Sequence, residues 1–107
     1  MSVMNMNHEE FNSKILDSNE PVLVEFWAPW CVYCRRIGPA LEKVAAQNEG
    51  KLLVAQVNID EQPALADKER IEVIPTLVLY QNGQAHGSIV APESKARIDD
   101  FILENLG

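Results

Sequence analysis

Hydrophobic positions follow two rhythms along this chain. Near the start, Phe11 and Ile15 lie four residues apart with Leu16 beside them, the spacing that lines one face of a helix. Asn7 is a suitable cap ahead of them and Glu10 stands at the third helical position, so a helix is expected from Asn7 until the turn-forming Asp17–Pro21 segment ends it. Before it, Ser2–Met6 carries a weaker strand pattern. Pro21–Trp27 (PVLVEFW) is apolar almost throughout, as expected of a central strand covered on both faces. From about Cys31 to Asn48 the helical rhythm returns, with Ile37, Leu41 and Val44 on one side and Gly50 as a stop. Pro39 falls inside this segment and is expected to bend it, with Gly38 easing the fit.

A second apolar strand follows in Lys51–Ile59, and Pro63 suits the first turn of a short helix continuing through Ala66–Ile71. Thr76–Tyr80 and Ala85–Val90 flank Gln81–Gln84, whose Asn82-Gly83 pair is a strong hairpin signal. Ser94 can cap a last helix with Ile98, Phe101, Ile102 and Leu106 on one face. A strand-helix-strand crossover requires parallel pairing, whereas the hairpin requires antiparallel pairing. The expected fold is therefore α/β, a mixed central sheet flanked by helices.

Composition narrows the function. A chain of 107 residues with 47% hydrophobic content suits one domain, residues 1–107, with a single core. Nine basic against 16 acidic residues give a net charge of -7, which opposes attachment to nucleic acid or an anionic membrane. The N-terminal residues do not read as a signal peptide, and no stretch approaches the roughly 20 apolar residues that span a bilayer. A cytoplasmic protein is expected. In that compartment two cysteines three positions apart point to redox chemistry or metal binding rather than a structural bridge. His8 and His86 are the only histidines, and neither has ligand spacing with the cysteines, so no metal and no cofactor is expected.

Cys31 follows a strand and an Ala28-Pro29-Trp30 bend at the opening of a helix, and Cys34 lies in the next turn. Unsatisfied backbone N–H groups and the helix dipole favour a thiolate at Cys31. Cys34 is better placed to be covered. This asymmetry suits thiol-disulfide exchange, with Cys31 attacking a substrate disulfide and Cys34 resolving the mixed disulfide. Arg35 and Arg36 either support the thiolate or are solvated surface residues. Trp30, beside Cys31, is expected on the active-site surface, and Trp27 in the packing. Glu25 interrupts an otherwise buried strand; if it points beneath the cysteine helix it can accept the Cys34 proton, and at a solvated strand edge it would be inert. Pro75 precedes a strand, where a trans bond fits; a cis bond would leave the Ile74 backbone available to an extended substrate.

These segments together resemble the thioredoxin family over nearly the full length, through VLVEFWAPWC..C, IGPALEKVA, VAQVNID, VIPT, YQNG and the amphipathic last helix. The resemblance implies a thioredoxin fold, Cys31 as the attacking and Cys34 as the resolving cysteine, and Trp30 on the substrate surface. It also implies a cis Pro75 opposite the cysteines with Ile74 and Thr76 beside it. Disulfide-containing client proteins and an NADPH-dependent flavoprotein thioredoxin reductase are the implied partners, and a monomer is expected. Four departures stand out. Val32-Tyr33 replaces Gly-Pro between the cysteines, Glu25 an aspartate, Gln56 a lysine, and Ala91, followed by Pro92, a glycine. Val32, Tyr33 and Ala91 are accordingly expected among the substrate contacts. Tyr33 also resembles the glutaredoxin site, which keeps a glutathione-dependent reductase as an alternative. A non-catalytic interaction subunit on the same fold is the other.

Overall fold

Asn7 caps the first helix in both directions, its Oδ1 accepting the Glu10 N–H at 2.8 Å and its own N–H donating to Glu10 Oε1 at 2.9 Å. In the computed structural model, which describes residues 3–106, strand β1 (Val3–Asn5) precedes this cap. Ser2 lies outside the described residues. Helix α1 covers only His8–Phe11 before the backbone widens into a π turn over Asn12–Leu16, closed by the Asp17 N–H on Asn12 O at 2.9 Å. Phe11 and Ile15 remain buried across the change of pitch, and Leu16 is half-buried.

There follow β2 (Val22–Trp27), α2 (Val32–Gln47), β3 (Leu53–Asn58), α3 (Pro63–Lys68), β4 (Thr76–Gln81), β5 (Gln84–Val90) and α4 (Lys95–Asn105). The sheet order is β1-β3-β2-β4-β5. The strands β1, β3 and β2 pair in parallel, as the crossover through α2 requires, and β4 runs antiparallel to both β2 and β5. Asn82 and Gly83 take φ of 55° and 76° at the hairpin turn, the left-handed pair that such turns need. A Cβ on Gly83 would stand 2.8 Å from the Leu16 carbonyl oxygen, so the hairpin tip rests on the end of the first helix.

β2 is buried on both faces, and alternate residues feed two cores. Leu23 joins Ile37, Leu41 and Val44 of α2 and Ile98 and Phe101 of α4 on one side. Val22, Val24 and Phe26 meet Phe11, Ile15 and Leu65 on the other. A near-continuous apolar strand thus reflects helices above and below the sheet. Two expectations need correction. Leu106 lies beyond α4 as its C-cap and is exposed rather than inward, because the helix ends at Asn105. The short helix stops at Lys68, where Arg70 turns left-handed with φ of 59°. Pro39 sits within α2, which continues through it to Gln47. Among the described residues no helix is long and apolar enough to cross a membrane.

Candidate functional site

The parallel strands β2 and β3 end at the edge of the sheet where β4 begins and β5 ends, since Phe26 is paired with both Val57 and Thr76, and Thr76 with Val90. Loops leaving these strand ends therefore gather in one place. In the first of them the Cys31 N–H donates to Ala28 O at 3.1 Å, turning the chain into α2. Cys31 is the N-cap, with extended φ and ψ of -83° and 109°, and its Sγ accepts the Cys34 N–H at 3.1 Å. Sulfur here takes the place of the usual capping oxygen. Cys31 and Cys34 form a disulfide with Cα atoms 5.2 Å apart. Cys31 is 9% exposed and Cys34 3%, so both are largely covered and Cys31 is the more open.

Around the disulfide the surface is apolar. Trp30 is 62% exposed, its indole Nε1 anchored on Asp60 Oδ2 at 2.9 Å, and Val32 is exposed beside it. Asp60 follows β3 and carried no local signal in the sequence. Arg35 folds back to donate to Pro29 O at 2.9 Å, and the Arg36 guanidinium lies 5.9 Å from the centre of the Tyr33 ring. Both arginines thus serve the loop and the ring. Trp27 is half-buried, in keeping with a packing role, though its Nε1 has no hydrogen-bond partner among the described residues.

The second and third loops stand across from these. The Ile74–Pro75 bond is cis. Thr76 is buried and its hydroxyl donates to Val73 O, while Ile74 is half-buried and Val73 exposed. Ala91 follows β5 with φ of 45°, and its N–H donates to Pro75 O at 2.9 Å. Ala91 thus holds the left-handed conformation that glycine adopts most readily. The Tyr33 hydroxyl donates to Pro92 O at 3.1 Å, a contact across 59 positions that spacing rules do not reveal.

Beneath this surface lies Glu25. It is fully buried, on the same side of the sheet as Leu23 and therefore toward α2, and stands between Gln56 of β3 and Leu77 of β4. The solvated-edge alternative is excluded. Gln56 Nε2 donates to Oε1 at 2.9 Å, and Oε2 has no hydrogen-bond partner among the described residues. Burial pushes the carboxyl up from 4.5 to about 7, with the Gln56 hydrogen bond pulling the other way. Such a group can exchange a proton near neutrality. Among the described residues no three His, Cys, Asp or Glu side chains are grouped to hold a metal ion.

Relatives carry the same name as the pattern suggests. The thioredoxin family model matches residues 2–104. Thioredoxin 1 of Nostoc sp. is 41% identical over 96 residues, covering 90% of each chain. A thioredoxin of Buchnera aphidicola is 42% identical over 92 residues, 86% of this chain and 84% of that one. A thioredoxin of Haemophilus influenzae is 34% identical over 104 residues, 97% of each. Disulfide-containing clients and the reductases that recharge them are the general partners of such proteins. With both cysteines of the motif in place and bonded to each other at a helix start, the likeness extends to chemistry as well as fold, and this chain belongs to the thioredoxin family as a thiol-disulfide oxidoreductase that reduces protein disulfides.

Proposed function

We propose that Cys31 is the attacking and Cys34 the resolving cysteine, and that an NADPH-dependent flavoprotein thioredoxin reductase restores the dithiol in the cytoplasm. The observation that carries this reading is the cap: Cys31 Sγ accepts the Cys34 N–H at the helix start, where a thiolate is stabilised by backbone donors and the dipole. In the reduced protein the Cys31 thiolate attacks one sulfur of a client disulfide and expels the other as a thiolate. Cys34 then loses its proton to Glu25, and its thiolate attacks the Cys31 sulfur, expelling the second client thiolate. The client gains two electrons and the protein ends as the Cys31–Cys34 disulfide. Glu25 acts directly or through one water molecule. Trp30, Val32, Tyr33, Ile74, Pro75, Thr76 and Ala91 form the docking surface; its open apolar side chains suit a polypeptide segment, and the Ile74 backbone can pair with an extended one.

The test compares electron sources. With a protein disulfide as client, sustained NADPH oxidation is expected through a thioredoxin reductase, and little through glutathione and glutathione reductase. Turnover with glutathione alone would overturn the assignment in favour of a glutaredoxin-like reductase.

A further inference from the structure

Tyr33 lies between the cysteines, yet its hydroxyl bonds to the loop after β5, on Pro92 O at 3.1 Å. That loop is itself tied to the cis-proline loop through the Ala91 N–H on Pro75 O at 2.9 Å. Two hydrogen bonds therefore join, in series, the three segments that surround the disulfide. The middle one is under strain, because Ala91 holds φ of 45°, where a side chain is disfavoured and persists only if its neighbours fix it. The Tyr33 ring is in turn restricted: it packs against the core shared by α2 and α4, and Arg36 lies over its face. Its hydroxyl is thus aimed in advance.

On either side of this tether stand exposed apolar residues, Trp30 and Val32 at the helix start, and opposite them Val73 in the cis-proline loop and Val90 at the end of β5, between 53% and 62% open. We infer that Tyr33 is a specificity-determining positioning residue, whose bond to Pro92 holds the two walls at a fixed separation and so favours extended polypeptide disulfides over small ones. The inference rests on the docking role proposed above for these loops. A polypeptide that touches both walls gains from their being ordered beforehand. A small disulfide that meets only the sulfurs gains nothing.

Tyr33→Phe keeps the ring and its backbone N–H and removes the tether alone. Two readouts are expected to move together. The Ala91 amide should exchange with solvent faster, and the ratio of kcat/KM for insulin to kcat/KM for hydroxyethyl disulfide should fall about five-fold, carried by the insulin KM. That change corresponds to about 1 kcal/mol, the scale of one hydrogen bond. An unchanged ratio, an equal fall for both substrates, or unchanged Ala91 exchange would each overturn the tether. Val73→Asp, on the opposite wall, separates the two levels of the argument. If it leaves the insulin KM unmoved, the docking surface itself is wrong; if it raises that KM while Tyr33→Phe does not, only the tether is rejected.

Discussion

Gln56 stands across from Glu25 in the parallel pairing of β2 and β3, and its amide reaches Glu25 Oε1 at 2.9 Å. The pair sets the ionisation of the one buried carboxylate among the described residues. A neutral donor offsets part of the burial penalty and leaves the carboxyl at about 7. Gln56→Leu removes that donor, so the Glu25 pKa should rise further. Gln56→Lys puts a cation on the same strand position and should lower it. Carboxyl titration followed by carbon NMR reads the value directly. Glu25 titrating alike in all three proteins would show that Gln56 has no hold on it.

The same carboxyl makes stability depend on pH. Its folded value of about 7 exceeds the ordinary 4.5, so between these values the native state binds the proton that the unfolded state releases, and stability falls as pH rises. Below about 4.5 the group is neutral in both states and contributes nothing. Above about 7 the loss is complete, on the order of 3 kcal/mol. Glu25→Gln should therefore match the wild type near pH 4 and exceed its unfolding free energy near pH 8. Urea titrations at the two pH values measure the difference, and equal gaps at both would contradict it.

The kinetic counterpart concerns resolution. Glu25→Gln retains the side-chain volume but removes the proton acceptor, and should slow release of the Cys31 mixed disulfide by about a hundred-fold or more while slowing its formation far less. Single-turnover measurements separate the two steps. Equal slowing of both would assign Glu25 to packing or docking.

Cys31→Ser should abolish attack on a peptide disulfide, whereas Cys34→Ser should accumulate a stable adduct on Cys31. Intact-mass measurement after mixing each reduced variant with an oxidised peptide checks this. An adduct on Cys34 in the first variant, and none in the second, would reverse the roles.

Replacing Val32-Tyr33 by Gly-Pro should make the protein a stronger reductant. Cys31 is the N-cap of α2, so Tyr33 is the second helical residue and its N–H is one of the first-turn donors that have no partner within the helix. Proline there deletes one N–H from the positive end of the helix, which weakens the field that favours the Cys31 thiolate and so disfavours the dithiol. A shift of about 30 mV, equivalent to about 1.4 kcal/mol for two electrons, is the expected scale. Equilibration against defined dithiol buffers with thiol trapping measures it, and a more oxidising double variant would refute the donor argument.

Much of the fold was legible because its signals are local. Asn7 and Ser94 cap the helices expected of them, Asn82-Gly83 makes the hairpin, and the apolar run of β2 forecast a strand covered on both faces. What escaped depends on distant pieces. The π turn at Asn12–Leu16 leaves the i, i+4 placement of Phe11 and Ile15 intact, so periodicity does not register it. In the site, Glu25 announced itself as a charge in an apolar strand. The cis state of Pro75 was available only from family resemblance, and the anchors Asp60 and Pro92 lie 30 and 59 positions from the side chains they hold.

The disulfide spans a separation of three residues inside the first turn of α2, joining atoms that the helix already keeps together. Opening it frees no strand or loop, and the small ring adds little to the stability of the folded state. The molecule can therefore circulate as a shuttle whose cargo is one electron pair, keeping its shape whether loaded or empty. Supplier and recipient must both react at the same pair of sulfurs, where only one can moor at a time. Each delivery is then a departure before the next arrival, and competition between the two sets the traffic.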